Sequence, residues 1–520
     1  MKPTNRNQRL KFNNYALLAT MGFLYLVLSA DAKAGDKTAK FHIHQRHLAK
    51  HTDFSNRKIG RMDNGRMVMY YDNSGLIGDR DFLRTIEWPA STNNYMVWQV
   101  GILFGAVTTS GDTIVSETYT DISDNQFNPE PGFDNPNYIS SIFDTTIVAR
   151  SDIIESYAPS WNGLWPNLEG GFIHPDLLRR SGRQESFWVM RDNNDPANSP
   201  APPLNLEVVS RLVAINSQEA RDMIFAIYKI KNIGVENLNR CRFGVLVDPD
   251  MPALVGADFD DDDVELIREL KLVYTRDHDN SYASRPGFDI GYFGTMLLLS
   301  PKVAGQELGL TAWRTFSYDD MPDSGKANLS IIGPDPAFGI FASRDHAQYG
   351  YMEPDLFMRP RFNRDVVFMM SSGDFALPAG ASVKTAVAFI GASDSLRLIE
   401  KTYEAQFIFD NDLNVSVGQN RQPLPKKFML LQNYPNPFNA TTAIRYTIAT
   451  PGYVTLKVFD LTGREVANLV SQKKPAGEYK VQWNPANLPS GVYFYRLQMI
   501  DSAVGSGHNF VEAKKLVLMK

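Results

Sequence analysis

The part of the chain from residue 428 to residue 520 constrains the fold most strongly, because short segments in it alternate apolar and polar residues. A period of two is typical of a strand with one buried face. The breaks between segments carry glycine, as at Thr462-Gly463 and Ser490-Gly491. The pattern predicts a small antiparallel, immunoglobulin-like β-sandwich. Its predicted strands are Thr442 to Ile448, Tyr453 to Phe459, Tyr479 to Trp483, Val492 to Leu497 and Lys514 to Met519.

The same part carries motifs in a fixed order. They begin with Leu431-Gln-Asn-Tyr-Pro-Asn-Pro-Phe-Asn439, continue through Asp460-x-x-Gly463 and Leu488-x-Ser490-Gly491-Val492-Tyr493, and end in the lysine-rich strand Lys515 to Lys520. In order and spacing these motifs resemble the type A C-terminal sorting domain of the type IX secretion system. The resemblance covers residues 428–520, which we call the tail. The residues taken from it as the candidate sorting signal are Asn433, Tyr434, Pro435, Asn436, Pro437, Phe438, Gly463, Gly491, Lys514, Lys515 and Lys520.

This resemblance implies that the tail directs the rest of the chain across the outer membrane and is usually cut off outside. The implied partners are the type IX translocon and its sorting protease, with exchange of the tail for a glycolipid as a further implied step. The implied location is the extracellular space or the cell surface. Because a residue before proline favours extended geometry, we expect Tyr434 to Phe438 to be a stiff polyproline-like segment. Tyr434 and Phe438 would then fill the sandwich.

The N-terminal residues have the composition of a signal peptide. Residues 1–34 combine a basic start, an apolar stretch from Tyr15 to Leu28 and small residues at Ala30-Asp-Ala32, which predicts secretion. The alternative is a retained N-terminal anchor. Residues 35–65 form a predicted polar arm with four histidines, for which transition-metal binding is the alternative. These histidines are His42, His44, His47 and His51.

Composition agrees with a large exported β protein. The chain has 520 residues with 43% hydrophobic and 12% aromatic content, enough for several cores and favouring strands. Its one cysteine, Cys241, excludes an intrachain disulfide. Without residues 1–34 the chain has 48 basic and 57 acidic residues. A net charge of about −9 argues against nucleic acid as a partner.

Residues 66–417 are predicted to be a β-rich, sandwich-like cargo region, with a second subdomain boundary near residue 204 as an alternative. One helix is predicted from Ser393 to Phe409, capped by Ser393 or Asp394. Its apolar face would comprise Leu396, Ile399, Tyr403 and Phe407. Residues 418–427 are the predicted linker. The cargo region resembles uncharacterised secreted proteins that share this tail, and that resemblance implies no activity.

An acidic run in the cargo region is the candidate metal site. Carboxylate oxygens select calcium, and close like charges favour a shared cation. The spacing from Asp258 to Glu269 follows a calcium-loop rhythm, but Asp263 stands where such a loop needs glycine. The prediction is an irregular calcium site, with a solvated acidic loop as the alternative. Its candidate ligands are Asp248, Asp250, Asp258, Asp260, Asp262 and Glu269.

Motifs for nucleophilic or metal-dependent hydrolysis are absent from the sequence. The first functional hypothesis is therefore a secreted structural or interaction module. The alternative is a secreted hydrolase of polysaccharide that uses carboxylates brought together by folding. Glu87 beside Trp88, and Asp319-Asp320, are the acidic and aromatic neighbours behind that alternative.

Overall fold

The structure is a computed structural model. It contains 52% strand and 11% helix, arranged in several sheets, which confirms the predicted mostly β fold. It describes residues 57–78, 85–118, 127–193, 203–251, 261–280, 288–317, 344–357, 361–364, 366–413, 428–448, 452–474, 477–485, 488–501 and 509–519. The predicted signal peptide, most of the polar arm with its histidines, and the linker lie outside these ranges.

The described cargo region contains three helices, α1 (Pro175–Arg180), α2 (Arg344–Tyr351) and α3 (Ser395–Ile408). Its strands are β1 (Ile59–Met62), β2 (Val68–Asp72), β3 (Ile86–Glu87), β4 (Gln99–Val107), β5 (Thr113–Glu117), β6 (Asn128–Pro129), β7 (Trp165–Pro166), β8 (Phe172–Ile173), β9 (Arg183–Arg191), β10 (Leu206–Ile215), β11 (Met223–Asn232), β12 (Leu238–Asp248), β13 (Asp262–Ile267), β14 (Leu272–Asp277), β15 (Tyr292–Leu299), β16 (Lys302–Val303), β17 (Gln306–Glu307), β18 (Ala312–Ser317), β19 (Arg361–Arg364), β20 (Val366–Leu377) and β21 (Ser382–Ala392).

Two large sheets form the cargo region. The first has nine strands in the order β19-β13-β14-β15-β21-β11-β10-β9-β6, and the second has five in the order β18-β20-β12-β4-β5. Their facing sides share one apolar core, in which Leu212 of β10 and Phe243 of β12 take part. Strand alternation supplies this core, because successive side chains of each strand point to opposite faces. The result is the predicted large sandwich.

Helices cover the outer faces of both sheets. Val213 of β10 lies in a second apolar core with Leu398 and Ala405 of α3, and Leu246 of β12 lies in another core with Tyr349 of α2. Since each outer face is also apolar, the strands contain nearly continuous runs of buried residues, and buried and exposed residues do not alternate regularly along them. The cargo region is thus layered as helix, sheet, sheet and helix.

The helix α3 confirms the predicted element and cap but not the predicted face. Asp394 is the N-cap, and its carboxylate accepts the N–H of Arg397 at 2.8 Å. The expected contact residue Leu396 is 63% exposed. The helix instead buries Leu398, Thr402, Ala405 and Ile408. Leu398 lies over Gly294 of β15, where the missing side chain lets the helix approach the sheet closely.

Two predicted boundaries of the cargo region, at residue 66 and near residue 204, can be compared with the strands. The strand β1 lies inside the predicted polar arm and pairs with β2. The predicted boundary near residue 204 falls between β9 and β10, which pair from Arg183 to Arg191. Among the residues that the structure describes, no helix combines the length and apolar composition that a membrane crossing requires.

The tail folds around its own core, which contains only tail residues. It has a three-stranded sheet in the order β22-β23-β26 and a four-stranded sheet in the order β25-β24-β27-β28. This arrangement agrees with the predicted small sandwich. The strands are β22 (Met429–Leu430), β23 (Thr442–Ile448), β24 (Gly452–Phe459), β25 (Glu465–Lys474), β26 (Gly477–Trp483), β27 (Gly491–Asp501) and β28 (Asn509–Leu518).

Candidate functional site

The segment from Asn433 to Phe438 lies against β28, the last described strand of the tail. Oδ1 of Asn436 accepts the N–H of Val517 at 2.8 Å. The backbone N–H of Phe438 donates to the carbonyl of Val517 at 3.0 Å, and its carbonyl accepts the N–H of Met519 at 2.9 Å. Because β28 is at the end of its sheet, these bonds satisfy backbone groups that an edge strand would otherwise expose. We call this segment the edge clasp.

Asn433 anchors the start of the edge clasp inside the tail. Its side chain is buried and donates to Oγ1 of Thr442 at 2.9 Å and to the carbonyl of Pro435 at 3.1 Å. Its backbone N–H donates to the hydroxyl of Tyr495 at 2.8 Å, and that hydroxyl donates to the carbonyl of Leu431 at 2.8 Å. The asparagine is therefore a structural connector between the clasp and two strands.

The two aromatic residues of the clasp have different environments, and the expectation that both fill the sandwich is wrong for Tyr434. Phe438 is buried and packs against Trp483 with ring centroids 5.9 Å apart, as expected. Tyr434 is 81% exposed and does not fill the sandwich. The polyproline-like geometry is also not seen, because the bonds before Pro435 and Pro437 are both cis. The chain bends here between backbone pairings at Tyr434 and Phe438.

Two glycines of the candidate signal take different backbone conformations. Gly463 has φ of +82°, which favours glycine, and its N–H donates to the carbonyl of Asp460 at 3.0 Å. The carboxylate of Asp460 also accepts the N–H groups of Thr462 and Arg464, so the turn is fully bonded. Gly491 begins β27.

The lysines of the last strand do not share one face. Lys515 is exposed, and its neighbour Lys514 is half-buried and forms an ion pair with Glu512 at 3.1 Å. Because side chains alternate along a strand, Lys514 is on the side of the buried residues Leu516 and Leu518, whereas Lys515 is on the other side. Lys520 lies outside the described residues.

Register brings acidic residues together in the cargo region. β13 and β14 pair antiparallel, with Asp262 directly opposite Asp277. Both side chains are buried. Oδ2 of Asp262 accepts the N–H of Met251 at 3.3 Å, which ties the segment after β12 to this hairpin. Burial, followed by the charge of Asp250 and then by those of Asp277 and Asp261, raises the pKa of Asp262 well above its usual value.

Three carboxylates near the open end of this hairpin form a compact group. Oxygen atoms of Asp261, Asp277 and Asp279 all lie within 4.8 Å of one another. Asp279 is exposed, Asp277 is buried and Asp261 is intermediate. Two other side chains near this hairpin contact a different acid, since Arg276 pairs with Asp263 at 2.5 Å and Nδ1 of His278 lies 2.9 Å from the same carboxylate. We call Asp261, Asp262, Asp277 and Asp279 the acidic cluster.

The structure brings together only part of the predicted calcium ligand set. Asp248 ends β12 and is buried, and Asp250 follows it closely enough to influence Asp262. Glu269 lies in the 3-10 turn Arg268–Leu270 at the closed end of the hairpin. The strand from Asp262 to Ile267 has six residues, and its five residue-to-residue steps span about 17 Å. Glu269 and Asp262 are therefore too far apart for one ion. Asp258 and Asp260 lie outside the described residues.

Asp277 and Asp279 lie in the acidic cluster, although neither is among the candidate ligands that the sequence predicts. They are separated along the chain from the acidic run, so only the β13–β14 register places them beside Asp261 and Asp262. A second short acidic motif, Asp277-His-Asp-Asn280, was the available signal. The two acidic motifs are apart in the sequence, and their proximity follows only from the pairing of β13 with β14.

Residues that suggested catalysis have structural contacts where the structure describes them. Glu87 accepts the backbone N–H of Asn93 at 2.7 Å, and Nε1 of Trp88 donates to Asp222 at 2.8 Å. Both side chains are buried. Cys241 is buried in β12, and burial raises the pKa of its thiol to about 12. A thiol with that pKa is not a thiolate nucleophile at neutral pH. Asp319 and Asp320 lie outside the described residues.

The described part of the chain has two β regions with separate cores, and the second is closed by the edge clasp. Residues 432–505 match the family model of the secretion system C-terminal sorting domain. This match confirms the type IX resemblance found in the motifs. It indicates export to the cell surface or the extracellular space and interaction with the type IX machinery.

The solved structures with a weak likeness to this chain include a polysaccharide lyase and PorU. A polysaccharide lyase has 10% identity to this chain and a TM-score of 0.26, covering 89% of this chain and 46% of the lyase. The dimeric latent PorU from Porphyromonas gingivalis has 11% identity and a TM-score of 0.15, covering 61% of this chain and 32% of PorU. The chain thus spans less than half the length of these two proteins. Comparison with curated proteins found no match.

Proposed function

We propose that this protein is a secreted structural or interaction module, delivered outside the cell by its C-terminal tail. In this proposal residues 1–34 direct entry into the periplasm and are removed there. The tail then engages the type IX translocon, and a sorting protease removes it outside. The remaining cargo region is released or is attached to a surface glycolipid. The observation that carries the proposal is the match of residues 432–505 to the sorting family.

The contacts of the cargo region support a non-catalytic role. Its central core is filled from both sheets, and Glu87 and Trp88, the pair that suggested a sugar site, are bonded into the packing. Polysaccharide cleavage needs two carboxylates that face a substrate, whereas the carboxylate of Glu87 accepts a backbone N–H in the interior. We therefore favour the interaction module over the hydrolase.

Export is tested in a bacterium that has a type IX system. The whole chain is compared with a form that ends at residue 427, and each is measured in periplasm, cell surface and medium. We expect the whole chain outside and the truncated form in the periplasm, with both appearing at the same total level. Normal amounts of the truncated form outside would contradict the sorting role of the tail.

The fate of the exported protein is tested by mass spectrometry of its terminal peptides. We expect an N-terminus near residue 35 and a C-terminus before residue 428. A mass increment at that C-terminus would mark attachment to a glycolipid, and its absence would mark release. A native C-terminus at Lys520 on the exported protein would contradict removal of the tail.

The module role is tested on the exported cargo region with a panel of polysaccharides and peptides. We expect binding without chain cleavage, measured as retention on immobilised ligands and as unchanged reducing ends or free amines. Cleavage that is lost on replacement of a single carboxylate would overturn the module proposal and would establish a hydrolase. The export result is independent of this outcome.

A further inference from the structure

The acidic cluster brings four carboxylates together beside the β13–β14 hairpin. Asp262 and Asp277 are directly opposite each other across the β13–β14 hairpin, an arrangement in which two negative charges destabilise a sheet. Both are buried, so solvent screens their repulsion little. Arg276 and His278 lie against Asp263, which alternation places on the other face of β13 from Asp262.

The spacing of the carboxylates suits a single calcium ion. Calcium binds oxygen ligands at about 2.3–2.6 Å, so two oxygens on opposite sides of one ion are about 5 Å apart. The oxygens of Asp261, Asp277 and Asp279 lie within 4.8 Å of one another. One ion can therefore contact all three. The exposure of Asp279 provides access from solvent and room for water ligands.

Asp262 supplies a second, independent observation. Its side chain is fully buried, and its Oδ1 has no hydrogen-bond donor within the part of the chain that the structure describes. Its other oxygen accepts only a long bond of 3.3 Å from Met251. A buried carboxylate oxygen without a donor costs free energy unless a proton or a cation compensates it. The side chain lies on the same face as that of Asp277, next to the three-carboxylate group.

We propose that the acidic cluster is a calcium site, in which Asp261, Asp277 and Asp279 are ligands and Asp262 lies beside the ion. Oxygen ligands without a nitrogen or sulfur donor favour calcium or magnesium over zinc or copper. Calcium is favoured over magnesium because a cluster on a strand end and a turn is irregular, and magnesium demands near-ideal octahedral geometry. Bound calcium joins the end of β14 to the segment that leads into β13.

Calcium binding is measured on the purified full-length chain after removal of metal with a chelator. Calcium chloride is titrated to about 10 mM, because extracellular modules bind calcium at about 10⁻⁴ to 10⁻³ M. We expect one ion per chain from calorimetry, and a rise of a few degrees in the midpoint of thermal unfolding. Magnesium chloride at the same concentration should give a smaller rise. Equal midpoints with calcium and with chelator would overturn the proposal.

Variants localise the site. Asp279→Asn changes an exposed turn residue and leaves packing intact, so it should fold and lose most of the calcium response. Asp262→Asn removes a buried charge, so it should unfold at the same or a higher temperature than the unchanged protein without calcium, and should respond less to calcium. Glu353→Gln, an exposed carboxylate elsewhere, is the matched control and should respond normally. An unchanged calcium response in Asp279→Asn would overturn the assignment, because the calcium would then be bound at another place in the chain.

Discussion

The backbone N–H of Val517 donates to Oδ1 of Asn436 at 2.8 Å, so the segment that opens the tail protects the edge of its last strand. The carbonyl of Lys515 also accepts a bond from Gln432 at 2.7 Å. An edge strand with open backbone groups pairs readily with other chains. A proline and asparagine motif and a lysine-rich strand that are about eighty residues apart therefore form one structural unit.

Replacement of Asn436 should weaken this unit. Asn436→Ala removes the acceptor for Val517, and we expect about 1 kcal/mol lower stability of the tail together with faster hydrogen exchange at the Val517 amide. Hydrogen exchange measured by mass spectrometry on the full-length chain provides both results. The control is Asn468→Ala on the exposed side of β25, which should leave exchange in β28 unchanged. Unaltered protection of Val517 in the Asn436 variant would contradict the clasp.

Substitutions at two neighbouring residues of the clasp distinguish the folding of the tail from its recognition by the translocon. Asn433→Ala deletes buried hydrogen bonds to Thr442 and Pro435, so we expect a loss of about 1–3 kcal/mol in tail stability and reduced export. Tyr434→Ala changes a side chain that is 81% exposed, so stability should stay within about 0.5 kcal/mol. Export of the Tyr434 variant is the informative measurement. Reduced export at normal stability would identify Tyr434 as part of a surface that the translocon contacts.

Strand alternation predicted most of the tail but missed β22 and β25, and the longer of these two, β25, has a physical explanation. The predicted strand Thr442 to Ile448 coincides with β23. The edge strand β25 was missed because Val470 is its one buried residue and because it ends in Ser-Gln-Lys-Lys474. A strand that buries little apolar surface needs no alternating pattern. Its place in the sheet follows from pairing with β24, which the sequence does not display.

The sequence analysis placed the candidate metal ligands along one acidic run, whereas the structure groups Asp261 and Asp262 with acids from the return strand and its turn. Counting along one loop placed Glu269 with Asp262, whereas the hairpin places them at opposite ends. The residues that lie across from the acidic run, Asp277 and Asp279, come from the return strand and its turn. A linear spacing rule assumes that all ligands belong to one loop. Here a strand follows Asp262, and the partners are set by register.

The buried face of α3 gives a matched pair of substitutions. Leu398 is buried over Gly294, so Leu398→Ala should cost about 2–5 kcal/mol in the stability of the cargo region. Leu396 is 63% exposed, and Leu396→Ala should change that stability by less than about 0.5 kcal/mol. Urea denaturation of both variants tests the assignment. A larger loss at Leu396 than at Leu398 would restore the face expected from sequence.

Glu404, on α3, should make the stability of the cargo region depend on pH. Burial raises the pKa of Glu404 to about 7, with the Glu219 and Glu400 charges adding to it and Lys401 opposing it. The ordinary glutamate value is 4.5, so between these two values the folded chain binds more proton than the unfolded chain. Stability contributed by this group is therefore complete below pH 4.5 and is lost as the pH rises towards 7.

Glu404→Gln carries no charge at any pH and should lack this loss. We expect the variant to be more stable than the unchanged protein by about 1–3 kcal/mol at pH 8. The upper end of this range is a limit, because the side chain is partly exposed and solvent weakens the effect of its charge. The two proteins should differ little at pH 4, where the carboxyl is protonated in both folded and unfolded chains. Denaturant unfolding at both pH values measures this, with Glu353→Gln as the exposed control. Equal differences at pH 4 and pH 8 would show that Glu404 has the same pKa in the folded and unfolded chains, because only a group whose pKa differs between the two states changes stability with pH.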